Sequence, residues 1–201
     1  LKVIKYNKKA DGIIYFLIGH SYYNIYDEMN ALKYYKLAID NKYNVSAVFY
    51  YRGIIYFETK QYYEAVNDFS KVIELDPKNF QGYLFRGKSY YLLRYFKKAL
   101  SDLLKVSKIK SNLWEVSLQK GYIYLFHKKN YQKALDNFNQ LIAIKPKLGL
   151  AHYYRGVTNF YLNKCSAIRD FYTYRELEKN IDSETDKAIN EMINRLRGKC
   201  H

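Results

Sequence analysis

Only two prolines and nine glycines occur in 201 residues, too few breakers for a β-rich fold built on many tight turns. The two cysteines, Cys165 and Cys200, lack the spacing of a metal-ligand or redox pair, and the four histidines are scattered, so no metal site or cofactor is implied. The longest strongly apolar run, Ile13 to Ile18, is far too short to span a bilayer. No transmembrane segment and no signal peptide are visible. There is no phosphate loop, no HExxH, no CxxC pair and no nucleophile elbow, which argues against an enzyme. Acidic residues are also scarce, 19 against 34 basic, and the formal net charge is +15.

What remains is a chain able to fold. Apolar residues make up 49% and charged residues 26%, outside the range of disordered segments. The 25 tyrosines stand out. A tyrosine buries its ring while its hydroxyl reaches water or a polar partner, which suits half-exposed surfaces. The charge reads two ways. It fits an acidic partner, nucleic acid or an anionic membrane surface. It also fits base composition: eight arginines leave 26 lysines among the 34 basic residues, and Lys, Asn, Tyr and Ile are all encoded by AT-rich codons.

The sequence repeats. Gly19, Gly53, Gly87 and Gly121 are 34 residues apart, and Gly156 follows after 35. Three residues beyond the first four stand Tyr22, Tyr56, Tyr90 and Tyr124, with Asn159 in the fifth copy. Ala31, Ala65 and Ala99 lie twelve residues beyond their glycines, Ala134 one residue late and Ala167 one early. Four past each alanine come Tyr35, Phe69, Leu103, Phe138 and Phe171. Both prolines, Pro77 and Pro146, fall twelve residues after an alanine. A fixed period of this length is the signature of stacked supersecondary units.

Here the chain resembles the tetratricopeptide repeat family, whose pattern runs from a bulky residue through Gly, Tyr and Ala-x-x-x-Phe to Pro. The best copy reads Phe49, Arg52, Gly53, Tyr56, Ala65, Phe69, Pro77. The resemblance implies an all-α, right-handed superhelical solenoid of antiparallel helix pairs with a C-terminal capping helix. Five copies are expected over residues 12–181, at about 12–45, 46–79, 80–113, 114–148 and 149–181. Gly on the first helix and Ala on the second allow close approach, and Tyr and Phe fill the space between. Turns are expected at Thr59-Lys60-Gln61 and Leu93-Arg94-Tyr95. An extra residue falls in the turn His127-Lys128-Lys129-Asn130, and one is missing near Asn163-Lys164-Cys165.

Arginine and aspartate covary along the repeats. Arg52, Arg86 and Arg155 precede their glycines, and the same three copies carry Asp68, Asp102 and Asp170. The other two copies have Ile18 with Tyr34 and Lys120 with Asn137. The covariation predicts a partly buried ion pair, either within a repeat or across a junction.

Residues 182–201 read as the capping helix. Asp182 or Ser183 would cap it, and Ala188, Ile189, Met192, Ile193 and Leu196 form one apolar stripe. Residues 1–11, with Leu1, Val3, Ile4 and Asn7-Lys8-Lys9, read as the stub of a preceding repeat or an N-terminal extension. The chain starts at Leu rather than Met, and the natural array is expected to continue upstream.

In this family the first helices line the inside of a groove. The resemblance, with helical spacing from each glycine, places Phe16, Leu17, His20 and Tyr23 there in the first copy. The second gives Tyr50, Tyr51, Ile54 and Phe57, and the third Leu84, Phe85, Lys88 and Tyr91. The fourth gives Leu118, Gln119, Tyr122 and Leu125, and the fifth Tyr153, Tyr154, Val157 and Phe160. Phe57, Tyr91 and Phe160 read equally well as packing between repeats. Tyr50, Tyr51, Phe85 and Tyr154 are expected to face a ligand. Such a wall would take a protein segment, an extended peptide or an amphipathic helix, and the chain would act as a scaffold or adaptor. The Lys, Asn and Arg clamp that some members use for a chaperone tail's carboxylate is missing: those sites carry Phe16, His20, Tyr51, Gln81 and Phe85. The alternative is an RNA-binding repeat protein, with lysines on phosphates and exposed tyrosines under bases. Lys97, Lys98, Lys105, Lys108, Lys110, Lys128, Lys129, Lys133, Lys145 and Lys147 fall on second helices and turns, apart from the groove aromatics.

Overall fold

The structure is a computed structural model that describes residues 8–200; the expected stub over Leu1, Val3 and Ile4 lies outside them. Eleven α-helices and no strand occur among the described residues. They divide into two compact units between Lys110 and Ser111.

The first unit holds α1 (Lys8–Asn24), α2 (Glu28–Asp40), α3 (Ser46–Glu58), α4 (Tyr62–Leu75), α5 (Phe80–Leu92) and α6 (Phe96–Ile109). Each helix packs on the next, and α3 also touches α1 and α5. Odd-numbered helices therefore form one row of the stack and even-numbered helices the other. The second unit holds α7 (Trp114–Tyr122), continued by a π-helical segment Ile123–His127, then α8 (Tyr131–Ile144), α9 (Gly149–Tyr161), α10 (Ser166–Leu177) and α11 (Ser183–Arg197).

The repeat residues are the core. Ala31, Ala65, Ala99, Ala134 and Ala167 are fully buried, as are Tyr35, Phe69, Leu103, Phe138 and Phe171. At Gly19, Gly53, Gly121 and Gly156 an added Cβ would come within 2.6–3.0 Å of the aromatic ring from the partner helix. Glycine is kept here for close approach. The turns joining first to second helices instead need a left-handed residue, and none is glycine. Tyr26, Lys60, Arg94, Lys129 and Asn163 have φ between 49° and 64°. At these helix ends the next amide turns back onto the helix, as Gln61 N–H does to Tyr56 O at 2.7 Å.

The extra residue of the fourth copy is not in the turn. Gly121 lies eight residues before the left-handed Lys129, whereas Gly53 lies seven before Lys60. The surplus widens the helix itself: Lys128 N–H donates to Ile123 O at 3.0 Å, a π-type bond. In the fifth copy the residue is lost after Asn163, at the start of α10.

In α11 the cap is Asp182, whose Oδ1 accepts from Thr185 N–H at 2.8 Å. Ile189, Ile193 and Leu196 enter the core with Phe171 and Ala167. Cys165 and Cys200 form a disulfide across 35 residues of chain. Their spacing concealed it because the pairing depends on α11 folding back over α10.

Candidate functional site

The Arg–Asp covariation is an ion pair within each repeat. Arg52 Nε and Nη2 donate to Asp68 Oδ2 and Oδ1, both at 2.7 Å, joining α3 to α4. Arg86 grips Asp102 in the same way at 2.8 Å, and Arg155 grips Asp170 at 2.6–3.1 Å. Two of these arginines also reach the preceding second helix: Arg86 donates to Ser70 Oγ at 3.1 Å and Arg155 to Asn139 Oδ1 at 3.2 Å. The fork shape of guanidinium makes both contacts available at once. Burial pushes the Asp68 carboxyl up, against the pull of Arg52. Burial also opposes the Arg52 charge, but the carboxylate beside it more than compensates and holds its pKa above the ordinary value. Arg86 is raised likewise by its own hydrogen-bonded partner, Asp102. Lys120, at the matching place in the fourth copy, is pulled down by burial.

The first helices also carry aromatic surfaces, one in each unit. In the first unit the His20 ring is stacked on Phe16 and Tyr23, both at 5.9 Å, and lies 4.5 Å from Tyr51. Tyr50 meets Tyr51 edge-on at 5.4 Å and Phe85 at 6.1 Å. Phe16, His20, Tyr23, Tyr50, Tyr51, Leu84, Phe85 and Lys88 are all half-buried. The Lys88 ammonium sits 5.1 Å over the Phe85 ring, a favourable cation–π placement. Burial raises the phenol pKa of Tyr23 and Tyr50.

The second unit carries a comparable surface. Tyr122 meets Tyr154 edge-on at 5.6 Å, and Tyr153 lies 5.3 Å from Tyr154. Gln119, Tyr122, Tyr153 and Tyr154 are half-buried. Burial raises Tyr153.

The structure moves some expected residues off these surfaces. Ile54 is 5% exposed and Val157 6%: both belong to the core. They occupy the position just after the repeat glycine, where His20, Lys88 and Tyr122 emerge because they are longer. Leu125 is 2% exposed for a different reason. The π-helical segment advances the register by one residue, so Phe126 takes its place, 40% exposed and 4.5 Å from the Tyr122 ring. The late Ala134 was the only sequence signal of that shift. Phe85 and Tyr154 are less free than expected, because each stacks on a core ring: Phe69 at 5.5 Å and Phe138 at 5.6 Å.

The ten lysines on second helices and turns are all exposed. Their separation from aromatics is incomplete. Lys98 lies 5.4 Å from both the Tyr90 and Tyr95 rings, and Lys133 5.6 Å from Tyr124.

Comparison with known proteins follows the repeat. Residues 46–79 and residues 115–148 each match the model of the tetratricopeptide repeat. Serine/threonine-protein phosphatase 5 of Rattus norvegicus is 38% identical over 96 residues, 47% of this chain and 19% of that protein. The Homo sapiens protein of that name is 38% identical over 94 residues, 46% of this chain and 18% of its own length. The match thus spans less than a fifth of the phosphatase. Among solved structures, YrrB, described as a TPR protein with an unusual peptide-binding site, aligns with a TM-score of 0.81 at 22% identity, over 94% of this chain and 96% of its own. MamA from Desulfovibrio magneticus RS-1 aligns with a TM-score of 0.76 at 22% identity, over 86% and 97%. At such identity these likenesses speak to fold alone. They agree with the 34-residue period and the glycine-to-ring packing, and the two matched stretches, residues 46–79 and 115–148, belong to the tetratricopeptide repeat family.

Proposed function

We propose that this chain is a protein-interaction scaffold that holds a segment of a partner against the aromatic surfaces of its first helices. The observation that carries the reading is the run of half-buried rings from Phe16 to Phe85, stacked around His20 and edge to face at Tyr50, with the Lys88 ammonium over Phe85. Rings already held by their neighbours lose little rotamer freedom when a ligand arrives, which is what makes aromatic anchors effective. Apolar side chains of an extended peptide or an amphipathic helix would lie between them. Phe126 joins Tyr122, Tyr153 and Tyr154 as a contact surface in the second unit. YrrB's description as a peptide-binding TPR protein points the same way. The role is non-catalytic: His20 works here as one more ring in the stack.

Nucleic acid is the second reading, favoured by one observation: on α6, Lys98 shares a surface with Tyr90 and the exposed Tyr95. Salt separates the two. Peptides selected from a random library for binding should keep their affinity as salt rises, and should lose it with Tyr51→Ala or Phe126→Ala. Affinity for an oligonucleotide resting on lysine would fall steeply with salt. Selected peptides that bind the folded variants as well as the parent would sink the aromatic-surface reading.

A further inference from the structure

Away from the rings, the second unit contains a polar cleft of about 570 Å³ between α8 and α10, with α9 as its floor. That size lies within the range of small-ligand sites, roughly 300–1,000 Å³. On α9 the cleft takes His152, Arg155 and Asn159, one helical face at i, i+3 and i+7. Tyr153, Val157 and Phe160 lie on another face.

The electrostatics of the cleft are one-sided. Its only carboxylate, Asp170, is spent: Arg155 forks onto it, and Asn159 Nδ2 donates to it at 3.0 Å. Two further cations, Lys164 and Arg169, line the mouth. Neither side chain has a hydrogen-bond or ion-pair partner among the described residues. A concave wall focuses the field of such charges. Ser166 and Thr173 line the cleft with them, the Thr173 hydroxyl donating to Arg169 O at 3.1 Å and that of Ser166 left for a ligand. His152 supports the wall through Nε2–H to Pro146 O at 2.9 Å, and its enclosed Nδ1 has no partner. The rim is also fixed in place. Lys164 and Ser166 flank Cys165, which is bonded to Cys200 at the end of α11.

An arginine beside the paired aspartate belongs to this repeat alone among those with the Arg–Asp pair. The residue before the aspartate is Asn67 in the second copy and Ser101 in the third, but Arg169 here. From these placements we infer that the cleft binds a phosphate monoester group. Two unpaired cations match a dianion, and the Ser166 hydroxyl at the start of α10 suits one of its several acceptor oxygens. The group could be carried by a phosphorylated protein side chain or by a free small molecule.

Calorimetric titration with O-phosphoserine at low ionic strength tests this directly. Saturable binding is expected, and Arg169→Gln and Lys164→Gln should each weaken it roughly tenfold. Both side chains are exposed, so both variants should melt like the parent. Lys133→Gln, an exposed lysine on α8 outside the cleft, should change nothing. A phosphoserine flanked by alanines in a peptide tells the sources apart: tighter binding than the free amino acid points to a phosphoprotein, equal binding to a small molecule. Absence of saturable binding, or equal weakening by all three variants, would overturn the assignment.

Discussion

Gly121 of α7 lies against the ring of Phe138 on α8 so closely that a Cβ there would fall 2.6 Å from Cε1. The ring cannot retreat, because it is fully buried and stacked on Tyr154. At Gly87 the matching residue is the smaller Leu103, and the nearest atom to an added Cβ is Asp102 Cβ at 3.3 Å. Alanine in a helix gains up to about 1 kcal/mol over glycine, while overpacking a core costs about 1–3 kcal/mol. Gly121→Ala is therefore expected to destabilise, and Gly87→Ala to be near neutral. Chemical denaturation of the two variants checks the order, and equal effects would remove the packing explanation.

The three Arg–Asp pairs make a second prediction. Asp68 is almost fully enclosed and Arg52 mostly so, with side-chain exposures of 5% and 19%. Asp68→Ala strands the guanidinium and should cost about 3 kcal/mol. Removing both partners strands nothing, so Arg52→Ala/Asp68→Ala should cost about 1–3 kcal/mol less than the sum of the single changes. A thermal-melt cycle that came out additive would mean the pair carries no coupling.

Why the pairs were legible, and the disulfide was not, comes down to where each contact lies in the sequence. Arg52 and Asp68 are partners within one repeat, so the pairing recurs and shows as covariation. Gly19 with Tyr35 recurs in the same way. The ring surfaces were readable only in part, because side-chain length at one phase decides between core and surface: Ile54 goes in and His20 comes out. Phe126 escaped because a single extra residue rotates the rest of α7's turn, and a register shift leaves only the late Ala134 as its trace. Cys165 and Cys200 belong to no repeated phase, and their contact needs the whole of α10 and α11 in place.

That disulfide yields a third prediction. It links the start of α10 to the end of α11 across 35 residues, and closing a loop of this length in the unfolded chain is worth about 2–4 kcal/mol. Cys165→Ser/Cys200→Ser should lower the melting temperature, and added reductant should do the same to the parent but not to the variant. α11 should stay docked at moderate temperature, because Ile189, Ile193 and Leu196 remain buried and Arg175 still grips Asp186 at 2.6 Å. A parent whose melting ignores reductant would show that the bond contributes nothing.

Buried phenols set the alkaline limit of the first unit. Tyr35 is fully enclosed, its hydroxyl 3.5 Å from His20 Nδ1, and burial, with smaller contributions from Tyr23 and Tyr51, pushes its pKa well above the ordinary value. In the unfolded chain the same phenol ionises near pH 10. Below that pH both states hold the proton, and the contribution of Tyr35 to stability is fully present. Above it the unfolded state releases the proton first, so stability falls by roughly 1 kcal/mol per pH unit until the folded phenol also ionises. Tyr50, raised by burial as well, adds to the same slope. Tyr35→Phe removes the ionisation and keeps the ring that fills the space beside Gly19. It should leave stability at neutral pH little changed and make the decline above pH 10 shallower. Denaturant midpoints at a series of alkaline pH values measure this, and parallel declines in parent and variant would show that Tyr35 is not the residue responsible.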